Sequence, residues 1–281
     1  MLKFPGKDFI RRQLANRYGR FANCLFVLST GRAGTTMLAH LMEITHGVQA
    51  EHEPFPLYLK ETCDAWHQFP DRSMNFPSQF ATSRMRVLCR NRYHEGLYAE
   101  CSNRLTYVAY ELRDHFPNAK FIHLYRDPAD VVRSIMRRKY YTEGTSEKSD
   151  WGRYRITPRD SDPAIRLWDK WTPFQKCCWY WAAINQYSIN FVNDSGERAQ
   201  SLNAEDFFHN RNEEYSSLCN WLGLNPPASD EIQQLLAKPA NSQVSGEFDT
   251  WNSWSIEQRK DLIDIAGETA VRLGYDKYQS A

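Results

Sequence analysis

The apolar run Cys24-Leu25-Phe26-Val27-Leu28 stops at Ser29-Thr30-Gly31, and Met37-Leu38-Ala39-His40-Leu41-Met42 resumes with helical character. This pattern predicts a first strand and helix over about 24–46. A second pair follows the same grammar. Phe121, Ile122, Leu124 and Tyr125 suit a buried strand, and Asp127 then suits an N-cap with Pro128 at the first helical position. Asp130 completes an acidic first turn, and Val131, Val132, Ile135 and Met136 supply the apolar stripe. Arg104 to His115 predicts a helix with Leu105, Val108, Ala109 and Leu112 on one face and Asn103 as its N-cap, with a hydrogen bond in the site as the rival role of Asn103. Trp168 to Asn193 predicts a long helix that partly buries Trp179, Trp181, Ile184 and Tyr187. Gly274 suits the left-handed terminator of the last helix. Strand, helix and strand with parallel returns imply an α/β layer fold.

Two stretches lack a clear period. Residues 54–95 are expected to be irregular and aromatic-rich, with Phe55, Tyr58, Trp66, Phe69, Phe76 and Phe80. Residues 140–164 are polar and rich in turn formers, as a lid or binding loop would be. There Arg153, Arg155 and Arg159 are expected to be solvated, with attraction of an acidic acceptor as the rival reading. The basic N-terminal segment 1–21 is expected to be a surface helix that packs Phe9, Ile10 and Leu14 on the domain.

The two strand-to-helix turns carry the chemistry. In the first, Ser29-Thr-Gly-Arg-Ala-Gly-Thr-Thr36 places Arg32, Ala33, Gly34, Thr35 and Thr36 at a helix start. Backbone N–H groups converge there, and the helix dipole favours an anion. A Walker A loop is excluded, because Thr35 and not lysine follows Gly34; the dinucleotide fingerprint is absent too. In the second, Arg126 sits at a strand end, with Ser134 and Arg138 four residues apart on one predicted helical face. Two guanidinium groups and a hydroxyl in that arrangement suit one dianion. The plain alternatives are an ordinary connection and a capped surface helix.

Composition narrows the class. The 281 residues carry 35 Lys+Arg against 34 Asp+Glu, so no global field favours nucleic acid. No apolar stretch reaches membrane-spanning length, and residues 1–21 lack a signal-peptide core. Seven scattered cysteines, with Cys177 and Cys178 adjacent, suit a reducing cytoplasm better than a disulfide framework; no spacing suggests zinc. A Golgi luminal domain cut from its anchor is the rival location.

The run x-Arg-x-Gly-Thr-Thr resembles the 5′-phosphosulfate loop of sulfotransferases that use 3′-phosphoadenylyl sulfate (PAPS). Arg126-Asp-Pro with Ser134 eight residues on is similar to their 3′-phosphate motif, and Arg138 matches a further arginine of the tyrosylprotein branch. Glu53 lies twenty-one residues after Arg32 in a Glu-Pro pair, where the tyrosylprotein and carbohydrate branches place their catalytic Glu. The resemblance therefore implies Glu53 as general base and Arg32 as the catalytic cation. Glu51 and His52 remain rivals for the base, and Pro54 is expected to keep Glu53 extended. Cys101 stands where the family has a lysine, and Ala204 where tyrosylprotein enzymes have a nucleotide-touching Tyr. Lys238, within Lys-Pro-Ala-Asn, is a further candidate phosphosulfate contact.

The resemblance implies a three-layer α/β/α, P-loop-like sulfotransferase fold with a central parallel sheet, as a single domain over 1–281. It implies transfer of SO3 from PAPS to a hydroxyl or amine, leaving adenosine 3′,5′-bisphosphate, without a metal. The acceptor is then a small molecule, a sugar or a peptidyl tyrosine, met by the aromatic region 55–80 and the loop 140–164. No nucleic acid partner or stable membrane insertion is expected. A nucleotide-dependent kinase of related fold and a non-catalytic bisphosphate-binding protein are the other readings.

Overall fold

The computed structural model describes residues 6–71, 75–144, 149–209, 211–236 and 248–279. Five strands form one parallel sheet: β1 (Asn23–Leu28), β2 (Val48–His52), β3 (Leu97–Cys101), β4 (Lys120–Tyr125) and β5 (Ala199–Asn203), in the order β2-β3-β1-β4-β5. Val27 pairs with Cys101 of β3 and Ile122 of β4, so the carboxyl ends of the three central strands stand nearly level. The chain fills one side of β1 and then the other. That reversal leaves a crevice outside the carboxyl end of β1, where open α/β sheets bind ligands.

Alternation along β1 builds two cores and hence three layers. Phe26 and Leu28 face one core, in which Phe26 meets Phe80 and Phe116 edge-on at ring separations of 5.7 and 5.5 Å. The helices Pro128–Met136, Pro173–Ser195 and Ile256–Arg272 close that side. Leu25 and Val27 face the other core, against Leu38, Leu41 and Met42 of helix Thr35–Glu43 and Phe207 and Tyr215 from later helices. The fold is a mixed α/β fold with a parallel sheet between helices, as expected.

Several local expectations need correction. Residues 54–95 are not irregular: they hold helices Leu59–Gln68, Asn75–Ser83 and Met85–His94. The first buries Thr62, Cys63, Ala65 and Trp66, a stripe built partly from small and polar residues and therefore faint in the sequence. Phe76 and Phe80 are fully packed, Tyr58 and Phe69 lie against the same core, and Phe55 alone of the aromatics expected at the acceptor is fully open, at 85% exposure. The long helix begins at Pro173 and not Trp168, because Thr172 and Gln175 form a capping box with Pro173 at the first position. The N-terminal helix Lys7–Arg17 exists, but Phe9, Ile10 and Leu14 are exposed and Ala15 is its buried residue. Gly274, with φ of 88°, follows the last long helix as expected. Among the described residues no helix is long and apolar enough to cross a membrane, and no cluster of His, Cys, Asp or Glu suits a metal.

Candidate active site

The turn after β1 is held from below and left open above. Ser29 and Thr30 are buried; Ser29 N–H donates to Thr106 Oγ1 (2.9 Å), and Tyr180 Oη donates to the Thr30 carbonyl (3.0 Å). Gly31, Arg32 and Gly34 then all take positive φ, at 74°, 60° and 96°. Gly34 caps helix Thr35–Glu43 without a side-chain bond, so the first-turn N–H groups stay available at the crevice. A Cβ at Gly34 would lie 2.3 Å from Phe208 Cε2, so glycine is the residue that fits under that ring.

Around this turn lies a cavity of about 470 Å3 whose lining includes Arg32, Thr35, Thr36, His52, Glu53 and Arg138. Arg32 Nε donates to Ser134 Oγ at 3.1 Å, which joins the two sequence motifs directly. Burial and the neighbouring Arg138 lower the Arg32 pKa, while Tyr140 and Glu53 act the other way. Glu53 has its pKa raised by burial, against the pull of Arg104, Arg32 and Arg138. A carboxylate and several guanidinium groups thus share a half-enclosed space.

The rivals of Glu53 are placed differently: His52 lines the same cavity, and Glu51 does not. His52 Nε2 lies 3.2 Å from both Thr35 Oγ1 and Thr36 Oγ1, so it is engaged with the turn; burial, His40 and Arg32 lower its pKa. Glu51 Oε2 stands 3.1 Å from the Tyr98 hydroxyl and lines a different cavity, with Phe55 and Arg84. Glu53 itself is not extended: its φ is 48°, with its N–H donating to the Cys101 carbonyl at 3.2 Å. The extended preference that Pro54 imposes is not followed where that tertiary bond forms.

Arg126 and Arg138 line different cavities, and Ser134 stands between them on Arg32. Helix Pro128–Met136, capped by Asp127 as expected, ends before Arg138, which therefore does not share a helical face with Ser134. Arg138 lines the cavity of Arg32 and Glu53. Arg126 lines a second cavity of about 270 Å3, with Ala33, Gly34, Met37, Ala204 and Phe208. Its Nη2 donates to Asp130 Oδ2 at 2.7 Å, and its Nε lies 3.6 Å from Glu205 Oε1. Lys238 lies outside the described residues.

Residues outside the two strand-to-helix turns complete the walls. Asn103 is not a helix cap: it opens a short 3-10 turn, Asn103–Val108, and lies beside Gly31 with its buried Oδ1 lacking a protein partner. Arg104, buried, donates from Nη1 to the Tyr154 carbonyl (2.5 Å) and from Nη2 to that of Trp151 (3.3 Å), fixing the wall that carries Trp151 and Arg155. Arg155 lies 3.5 Å over the Tyr140 ring, and Arg159 lies 3.8 Å over Trp66, so neither is simply solvated; Arg153 is exposed as expected. Cys101 is buried and brings no charge. Phe208 and the space beside Ala204 had no sequence signal beyond the missing Tyr.

The profile of the sulfotransferase family matches residues 24–227. The fold is similar to a sulfotransferase domain from the curacin biosynthetic pathway, at 18% identity and a TM-score of 0.55 over 92% of this chain and 99% of that one. It is similar to the sulfotransferase domain of the Synechococcus olefin synthase, at 15% identity and a TM-score of 0.51 over 89% and 95%. A sulfotransferase from Alicyclobacillus acidocaldarius matches at 15% identity and a TM-score of 0.50 over 92% and 97%. No curated protein matches the chain.

Proposed function

This chain belongs to the sulfotransferase family, whose members use PAPS, and we propose that it moves SO3 from PAPS to a hydroxyl or amine with Glu53 as the base. The observation that carries this reading is the cavity at the end of β1, where Arg32, Thr35, Thr36, Arg138 and Glu53 meet.

The residues fit such a co-substrate in two parts. Arg32 and the first-turn N–H groups of helix Thr35–Glu43 face the 5′-phosphate, the group that leaves. There a cation and fixed dipoles stabilise charge on the departing oxygen without reorganisation. Arg126 takes the 3′-phosphate, and the cavity under Phe208, widened by Ala204, takes the adenine face. Ser134, bonded to Arg32, ties the two ends together.

The acceptor enters the larger cavity between Glu53 and the Trp151 wall. Its oxygen or nitrogen forms a bond to sulfur as the bond from sulfur to the 5′-phosphate oxygen breaks, and its proton passes to Glu53. Burial helps here, because a carboxylate with a raised pKa is the stronger base. The offset of Glu53 from Arg32 supports kinship with the tyrosylprotein and carbohydrate branches. Hydroxyl and amine acceptors of small-molecule, sugar or peptidyl-tyrosine type all suit this chemistry.

The test is Glu53→Gln. Turnover of labelled PAPS with a reactive acceptor is expected to fall by about 10²-fold or more, while calorimetric binding of adenosine 3′,5′-bisphosphate stays within about threefold of the parent, a change of under 1 kcal/mol. Equal loss of binding and turnover would reject Glu53 as a base. Tight ATP–Mg2+ binding without bisphosphate binding would favour the kinase reading.

A further inference from the structure

Arg84 is 4% exposed, at the junction of helices Asn75–Ser83 and Met85–His94, and it lines neither cavity of the site. Its guanidinium works in two directions. Toward the sheet, Nε donates to Glu100 Oε2 at 2.9 Å and Nη2 to Glu100 Oε1 at 3.1 Å, a bidentate pair with a carboxylate 2% exposed on β3. Toward the loop, Nη2 donates to the carbonyls of Pro54 (2.9 Å) and Pro56 (3.3 Å), and Nη1 to that of Phe55 (2.8 Å). Tyr98 braces the pair, its hydroxyl donating to Glu100 Oε2 at 2.5 Å.

Three successive carbonyls immediately after Glu53 therefore end on one buried side chain. Glu53 stands in a left-handed backbone although the following proline disfavours anything but extended geometry. For a non-glycine residue that conformation costs about 1–2 kcal/mol, so the surroundings must impose it. The Cys101 carbonyl holds the N–H side of Glu53, and Arg84 holds the carbonyl side of the loop.

We propose that Arg84, braced on Glu100, is the positioning residue of the transfer reaction: it locks residues 54–56 and so turns the Glu53 carboxylate into the cavity beside Arg32. The inference rests on the reading of Glu53 as the base. An Arg84–Glu100 pair that served stability alone would leave catalysis untouched once the fold was kept.

Removing one partner strands a buried charge, so both are exchanged, as Arg84→Met with Glu100→Leu, a change that buried pairs commonly tolerate. Folding is followed by circular dichroism, nucleotide binding by calorimetry with adenosine 3′,5′-bisphosphate, and turnover by release of that product. The expected result is a folded protein with bisphosphate Kd within about threefold of the parent and kcat lower by about 10²-fold, the scale of an ångström of misplacement. Arg84→Lys, a point charge that cannot span a carboxylate and three carbonyls, is expected to lose about tenfold in kcat with the same Kd. A folded double variant with kcat within threefold overturns the proposal, as does loss of Kd and kcat in equal measure. If the double variant does not fold, Arg84→Lys decides by the same split. Should Glu53→Gln keep full turnover, the base assignment fails whatever Arg84 does; should Glu53→Gln be inactive while the Arg84 variants are parent-like, only the positioning role falls.

Discussion

Arg126→Ala offers a quantitative test of how the nucleotide is read. Arg126 is 42% exposed, with Asp130 at 2.7 Å and Glu205 at 3.6 Å. A 3′-phosphate at its fork gains charge-assisted hydrogen bonds worth about 1.5–3 kcal/mol. The substitution removes these and also leaves two carboxylates unneutralised beside the phosphate. At roughly 6 Å and an effective dielectric of roughly 40 for half-exposed groups, each repulsion is about 1.4 kcal/mol, cut to about half by physiological salt. The total of about 3–4 kcal/mol corresponds to roughly 10²–10³-fold weaker binding. Calorimetry with adenosine 3′,5′-bisphosphate measures it, and adenosine 5′-monophosphate, which lacks the 3′-phosphate, is the control, expected to stay within about threefold, or under 1 kcal/mol. Adding Asp130→Asn to Arg126→Ala should recover roughly threefold by deleting one repulsion. Parallel losses for both nucleotides would refute the assignment, because Arg126 would then not be reading the 3′-phosphate.

Other outcomes follow from the same geometry. Burial raises the Glu53 pKa, so kcat/KM should fall as pH drops through an inflection above the ordinary value of 4.5; a flat profile down to pH 4.5 would contradict Glu53 as the base. The same shift has a stability consequence. The folded state holds this proton more tightly than the unfolded chain, so stability is lost as pH rises from 4.5 through the raised value. Glu53→Gln should therefore raise Tm at pH 7 but not at pH 4, and an equal change at both would show that ionisation is not the cause. Gly34→Ala puts a Cβ 2.3 Å from Phe208 on a backbone of φ 96° and is expected to weaken bisphosphate binding at least about tenfold, a loss of about 1.4 kcal/mol or more. Parent-like affinity would show that the ring can move aside without touching the nucleotide.

What was legible in the sequence was local. A strand that stops at a glycine turn and an Asp-Pro pair that opens a helix specify their own conformations, and β1, β4 and the helices after them stand where those signals put them. Residues 59–94 hid three helices because their buried positions are filled by Thr62, Cys63, Ala65 and Pro77 as much as by aromatics. The N-terminal helix shows the complementary failure. Its helical character is intrinsic, but whether Ile10 and Leu14 are covered depends on neighbours that periodicity does not encode. β2 and β3, five residues each, are too short to show a period at all.

The site divides along the same line, and Glu53 shows why. The family resemblance singled it out, yet the adjoining proline argued for extended backbone, and the structure has φ of 48°. A local preference of about 1–2 kcal/mol stands against the Cys101 carbonyl and three bonds from a buried guanidinium. Hydrogen bonds to charged groups contribute about 1.5–3 kcal/mol each, so the distant partners win. Arg32 poses the same question on the other side of the cavity, at φ of 60° with its Nε on Ser134, 102 residues away. Both residues assigned to the chemistry thus hold conformations that their own sequence neighbours do not select. A motif can name such residues; the bonds of Cys101 to Glu53, of Arg84 to residues 54–56 and of Ser134 to Arg32 supply what the motif leaves open, and both side chains line one cavity.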